Sequence, residues 1–114
     1  MHLVSYRKND YTGSGLVEGD LVINLLNALR ACSSRASYLA PVSAETISGG
    51  MQSLLQAGKQ AMEGLSELRQ QIVSQLAEMP DRLLNLGITS PLDEVSLLPP
   101  VLRPGKLVCV GLNY

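Results

Sequence analysis

Few side chains in this 114-residue sequence suit a nucleophile, a general base or a soft metal ligand, because it contains one histidine and two cysteines. His2 stands at the second position, where a solvated surface residue is expected. A Ser-His-Asp or Cys-His catalytic arrangement is therefore not indicated. Cys32 and Cys109 form neither a CxxC pair nor part of a Cys/His cluster, which argues against a zinc site.

Carboxylates are more numerous, and several of them would have to converge to hold a hard cation. Asp93 and Glu94 are adjacent, so their side chains are expected to point apart. Glu63 and Glu67 follow Lys59 at intervals of one helical turn, and this spacing is typical of a solvated helix face. We therefore expect this chain to form no metal site by itself.

Two glycine-containing segments have part of the pattern of a phosphate-binding or catalytic loop. Gly58-Lys59 has the offset of a phosphate-binding loop, yet Ser53 stands in place of the first glycine and Gln60 in place of serine or threonine. Gly13-Ser14-Gly15 lacks the flanking positions of a nucleophile elbow. Small residues within a strand are the better interpretation of this second segment.

The composition indicates one globular domain without a strongly charged surface. Hydrophobic residues make up 46% and charged residues 17%, and the formal net charge is -1. No basic patch predicts a nucleic-acid partner, and no segment predicts a membrane partner. The N-terminus lacks a signal-peptide core, and thiols outside any disulfide pattern fit a reducing compartment. We expect a cytoplasmic protein. A mitochondrial location is the alternative, although the sequence shows no clear presequence.

Short strands separated by turn residues are expected at the start of the chain. Residues 3–7 alternate between two faces, which predicts a half-buried strand. Residues 11–18 predict a second strand, and Gly19-Asp20 predicts a type II′ hairpin leading to a third strand over residues 21–23. Together these segments predict a three-stranded antiparallel meander.

Helices are expected in the middle of the chain. Asn24 is placed to cap a short helix, and residues 32–45 predict a loop because they show no clear period. Gly58 is expected to end the first of two later helices and Pro80 to end the second, although one continuous helix through Gly58 also fits the pattern. The apolar stripe of these helices consists of Met51, Leu54, Leu55, Met62, Leu65, Leu68, Ile72 and Leu76.

The stripe from Met51 to Leu76 has two interpretations. Ala61 and Gly64 interrupt it, which favours packing on the domain's own sheet. A seam for a partner helix is the alternative, and it would make the chain a stand-alone interaction module.

Residues 81–85 predict one further helical turn closed by Gly87, residues 90–94 a linker and residues 95–98 a short strand. We thus predict an α+β domain over residues 1–98, with two to three helices packed on a small antiparallel sheet. A Pro-rich linker over residues 99–105 follows. Residues 106–110 form an apolar run typical of a strand buried on both faces, and we expect residues 106–114 to begin a second domain of a longer protein.

An ordered set of motifs surrounds this last strand: LLPPV at 97–101, PGK at 104–106 and CVGLNY at 109–114. The set resembles the segment that joins the N-terminal domain to the catalytic domain in the fumarylacetoacetate hydrolase family. LVSYR at 3–7 and GLVEGD at 15–20 extend the resemblance over most of the chain. VINL at 22–25 and CVGLNY are most similar to the oxaloacetate tautomerase-like branch, without separating it from acylpyruvate hydrolases or decarboxylases.

The resemblance implies a two-part enzyme, in which a small N-terminal domain precedes a β-roll catalytic domain that holds Mg²⁺ or Mn²⁺ on acidic residues. The metal would polarise a 2-oxo or β-diketo acid and stabilise an enolate, leading to C–C hydrolysis, decarboxylation or tautomerisation. The full-length enzyme is expected to be a homodimer. The family's His-Glu pair and acidic ligands follow the Asn-Tyr dipeptide, so only Asn113 and Tyr114 carry over, as the edge of the substrate pocket. Residues 1–98 would then be catalytically silent, with the catalytic domain as their partner.

Overall fold

A computed structural model describes residues 2–32 and 43–99 as an α+β structure with a five-stranded antiparallel sheet. The strands are β1 (His2–Lys8), β2 (Tyr11–Glu18), β3 (Leu21–Asn24), β4 (Thr89–Pro91) and β5 (Ser96–Leu98). The helices are α1 (Leu25–Cys32), α2 (Ala44–Ser48), α3 (Gly50–Gln56), α4 (Gly58–Glu78) and α5 (Pro80–Asn85), and a 3-10 turn (Leu92–Glu94) joins β4 to β5. The strand order across the sheet is β4-β3-β2-β1-β5.

The predicted meander of β1, β2 and β3 is confirmed. Lys8 pairs with Tyr11 and Glu18 pairs with Leu21, so each hairpin has a two-residue loop. The first residue of each loop has a positive φ, 54° at Asn9 and 57° at Gly19. A positive φ at this position gives the hairpin a twist that matches its strands, and glycine or asparagine adopts it at least cost.

The sheet is strongly curled, as the connection between its two edge strands shows. Opposite edges of a flat five-stranded sheet lie roughly 19 Å apart, at about 4.8 Å per strand spacing. Residues 92–95 alone connect β4 to β5, and most of them are in a compact 3-10 turn, which rises only about 2 Å per residue. The edges must therefore approach each other. The Lys8 Nζ atom of β1 accordingly donates a hydrogen bond to Ser90 Oγ of β4 at 3.1 Å, although two strands separate them in the sheet.

The inner face of this curl holds a small second core. Val4, Tyr6 and Val22 are buried there, and Val17, Leu92 and Val95 pack against them. The middle of β1 is consequently buried on both faces, because Ser5 faces the helices and is also buried. The prediction of a half-buried strand was wrong at this point, since the alternation of side chains does not reveal that the β4–β5 connection crosses the second face.

Tyr6 carries a titratable group into that inner core. Burial raises the pKa of its hydroxyl from 10.0 to about 12; Tyr11 adds to the rise, and a hydrogen bond with Asn24 opposes it. The folded state therefore favours neutral Tyr6 more than the unfolded chain does. The resulting stability is present below pH 10 and is lost as the pH rises from 10 to 12.

Replacing Tyr6 with phenylalanine is expected to remove this alkaline sensitivity. The free energy of unfolding of the unmodified protein should fall by up to about 3 kcal/mol more than that of Tyr6→Phe between pH 10 and 12. Urea unfolding curves of both proteins at pH 8, 10, 11 and 12 measure this difference, and lysine titration affects both equally. Parallel pH dependence of the two proteins would contradict the assignment.

The main core lies between the other face of the sheet and the helices. Leu16 and Ile23 from the sheet pack with buried side chains of all five helices. Asn24 caps the N-terminus of α1 as predicted, because its Oδ1 atom accepts a hydrogen bond from the Asn27 amide at 3.0 Å. Gly58 has a φ of 78° and separates α3 from α4, and Pro80 follows the end of α4 at Glu78. The predicted split at Gly58 is confirmed.

Several predicted boundaries require correction. The described residues contain five α-helical segments rather than two to three. One of the additional breaks lies at Gly50, whose φ of 81° divides α2 from α3. Ala44 and Glu45 lie in α2 rather than in a loop, since the Ser43 side chain accepts the Thr46 amide and caps that helix. Thr89–Pro91 is an edge strand rather than part of a linker, where proline is tolerated because its missing amide faces outward. The predicted linker beyond Pro99 and the strand over residues 106–110 lie outside the described residues.

Candidate functional site

Two ion pairs among the described residues connect separate elements of the fold. Glu18 on β2 accepts a two-pronged hydrogen bond from Arg69 on α4, at 2.8 Å and 3.0 Å, and Lys8 lies 3.7 Å from Glu94. His2 is exposed, as expected. Over residues 2–32 and 43–99, no group of three or more His, Cys, Asp or Glu side chains is placed to hold a metal ion.

The predicted solvated face of α4 is confirmed, because Lys59, Glu63 and Glu67 are all exposed. None of the helices in the described part of the chain combines the length and apolar character of a membrane span. Asn113 and Tyr114, the predicted edge of a substrate pocket, lie outside the described residues.

The apolar stripe is buried mainly in this domain's own core, together with Leu16 and Ile23 of the sheet, as expected for helices that pack within the domain. Five of its eight side chains are buried (Met51, Leu54, Leu65, Leu68 and Ile72). Met62 and Leu76 are partly buried against the main core. Leu55 is 58% exposed and is the one member that faces solvent. The stripe is therefore largely occupied within the domain.

A cleft of about 470 Å³ lies between the sheet and the turn from α2 to α3. Ser5 and residues 11–14 line it from the sheet, residues 47–52 line it from the helical side, and Leu26 closes it from α1. We name it the β2–α3 cleft. Its lining among the described residues consists of neutral hydroxyl, amide, backbone and apolar groups, and includes no charged side chain.

Ser14 is the unusual residue of the β2–α3 cleft. The residue is 2% exposed, and its hydroxyl is buried without a hydrogen-bond partner. Ser5 lies directly opposite in the β1–β2 register and is 3% exposed. Two buried serines thus face the helices at one end of the main core. Buried hydroxyls are nearly always hydrogen-bonded in folded proteins, so the unpaired Ser14 group requires an explanation.

The sequence identified Ser14 only as a small residue in a strand, and the structure confirms its place in β2. The cleft itself was missed because it depends on the break at Gly49-Gly50. A short helix precedes this break, and another follows it. The usual preference of serine for caps and turns gives no signal for an unpaired hydroxyl inside a strand.

A second depression of about 670 Å³ lies between α1, α4 and α5. Ser74 and Gln75 line it together with the oppositely charged Glu78 and Arg82. The Arg82 guanidinium contacts Met79 Sδ at 3.7 Å. The charges that line this second depression are mixed and its helical rim is exposed, so the depression carries no specific chemistry.

Comparison of the chain with protein-family models, with curated proteins and with solved structures finds no match.

Proposed function

We propose that this chain is the N-terminal, catalytically silent portion of an enzyme similar to the fumarylacetoacetate hydrolase family. The whole enzyme would act on a 2-oxo or β-diketo acid with Mg²⁺ or Mn²⁺. The observation that carries the proposal is the ordered set of LLPPV, PGK and CVGLNY between residues 97 and 114. Each short motif is weak alone; their order and close spacing give the resemblance its specificity.

The arrangement of the described residues supports a non-catalytic role for residues 1–98. Two ion pairs among these residues connect separate elements. Glu18 with Arg69 joins the sheet to α4, and Lys8 of β1 with Glu94 joins that strand to the turn between β4 and β5. Tyr6 is buried and its pKa lies far above neutrality, so it is not suited to proton transfer near pH 7. These groups stabilise a scaffold.

The position of β5 supports a connection to a second domain. β5 is an edge strand paired with β1, and its Leu97 side chain is 55% exposed. The first motif begins at this residue, so β5 lies directly before the segment that resembles the link to the catalytic domain. Burial of Leu97 against that domain would remove an exposed apolar group from water.

The proposal assigns different roles to the two parts of the enzyme. Residues 1–98 would support the catalytic domain, and Asn113 and Tyr114 would contribute to one edge of its substrate pocket. The metal would be held by acidic residues beyond the Asn-Tyr dipeptide, and it would supply polarisation of the substrate's 2-oxo group.

The test compares the 114-residue chain with a chain extended through the reading frame that follows Tyr114. Both are assayed on oxaloacetate and on acylpyruvates, with Mg²⁺ or Mn²⁺ and with a chelator. We expect metal-dependent turnover by the extended chain and none by residues 1–114. Turnover by residues 1–114 would contradict the silent role. An extension without a His-Glu pair soon after Tyr114, or without acidic ligands, would reject the family.

A matched pair of substitutions in the extended chain tests the pocket edge. Asn113→Ala is expected to raise KM severalfold, because loss of a substrate contact weakens binding. Asn85→Ala on the exposed surface of α5 is the control, and it should leave both kcat and KM unchanged. Equal kinetics of the two variants would remove Asn113 from the pocket.

A further inference from the structure

The β2–α3 cleft combines a volume of about 470 Å³ with one unsatisfied buried group. Leaving a buried hydroxyl without a partner costs about 1–3 kcal/mol. The Ser14 hydroxyl has no partner among residues 2–32 and 43–99, and Ser14 itself lines the cleft. A serine hydroxyl has three staggered χ1 positions, so it can turn toward a molecule bound in the cleft.

The chemistry of the lining defines what such a molecule would be. Hydroxyl groups of Ser14, Thr12 and Ser48 and the Gln52 amide can each both donate and accept hydrogen bonds. Leu26 and Met51 add apolar surface. No lysine or arginine is present among the described lining residues, so a carboxylate would be desolvated without a counter-charge.

We propose that the β2–α3 cleft is a binding site for a small neutral carboxamide, whose polar group pairs with the Ser14 hydroxyl. A carboxamide presents a donor and an acceptor on one planar group, which matches a lining that offers both. It also leaves an apolar portion for Leu26 and Met51. The site is independent of the proposed function, because the substrates proposed there are anions.

The test uses isosteric pairs that differ in charge. The isotope-labelled 114-residue chain is titrated with acetamide, pyruvamide and N-acetylglycinamide, and separately with acetate, pyruvate and N-acetylglycinate, while amide chemical shifts are followed by NMR. We expect saturable shifts at Ser14 and at residues 48–50 with at least one carboxamide. The matching carboxylate should bind at least tenfold more weakly.

Two serine substitutions complete the design. Ser14→Ala is expected to weaken carboxamide binding at least fivefold and to unfold at the same or a higher urea concentration, because it removes an unpaired buried hydroxyl. Ser74→Ala in the second depression is the control, and it should bind as the unmodified chain does. Absence of saturable shifts with all three carboxamides, equal binding of the carboxylates, or unchanged binding by Ser14→Ala would each overturn the proposal. Absence of turnover by residues 1–114 in the enzyme assay would neither support nor contradict carboxamide binding.

Discussion

Replacing Leu65 with alanine is expected to lower the free energy of unfolding by about 2–5 kcal/mol. Leu65 lies on α4 and is fully buried in the main core between the helices and the sheet. Truncation removes apolar contacts and leaves a cavity that the surrounding side chains fill only in part. Because small domains are stable by only about 5–15 kcal/mol, this single change should bring the protein close to unfolding.

Urea unfolding followed by circular dichroism measures the effect. Leu55→Ala is the matched control, because Leu55 belongs to the same predicted stripe but is 58% exposed on α3. Its substitution should change the free energy of unfolding by less than about 1 kcal/mol. Similar losses for the two variants would mean that the helices do not present these faces as described.

Replacing Gly15 with alanine is expected to lower the free energy of unfolding by about 2–3 kcal/mol through overpacking. An added Cβ atom would lie 2.8 Å from Val22 Cγ1 and 2.9 Å from both the Ile23 carbonyl oxygen and Tyr6 Cε1. The Ile23 carbonyl belongs to the backbone of β3, so it cannot move aside without disturbing the sheet. The absence of a side chain at Gly15 thus allows the inner core to close.

Gly13→Ala is the control on the same strand and the same face. There, the three atoms nearest to an added Cβ atom all belong to the side chain of Tyr11, which is 38% exposed. Tyr11 can swing into solvent, so the change in unfolding free energy should stay within about 1 kcal/mol. Thermal or urea unfolding of both variants tests the difference. Equal destabilisation would show that strand propensity, rather than contact with the neighbouring strand, governs both positions.

Local signals in the sequence predicted the elements whose contacts are local. Residues 11–18 were predicted as a strand and form β2 with the same bounds. Asn24 and Gly58 mark the boundaries that their capping and glycine chemistry indicated. Hairpin pairing and helix ends depend on residues a few positions apart, so a single sequence contains the information.

Long-range contacts were not predictable in the same way. The Lys8–Ser90 hydrogen bond joins residues 82 positions apart, and no periodicity connects them. Residues 90–94 were predicted as a linker, yet Pro91 pairs with Leu21 at an outer edge of the sheet, where proline is tolerated. The inner core around Tyr6 depends on this same curl. For the same reason, Ser14 could be placed in a strand but not in a cleft.

The pairing of β1 with β5 has a consequence for the nascent chain. Synthesis releases β1, β2 and β3 from the ribosome first, but residues 96–98 must emerge before β1 gains its second neighbour. Until then one edge of β1 is open to pairing with strands of other chains, and Val4 and Tyr6 are not yet enclosed. Co-translational folding is therefore completed only when the last described strand is free, and chains interrupted before it should be prone to aggregation.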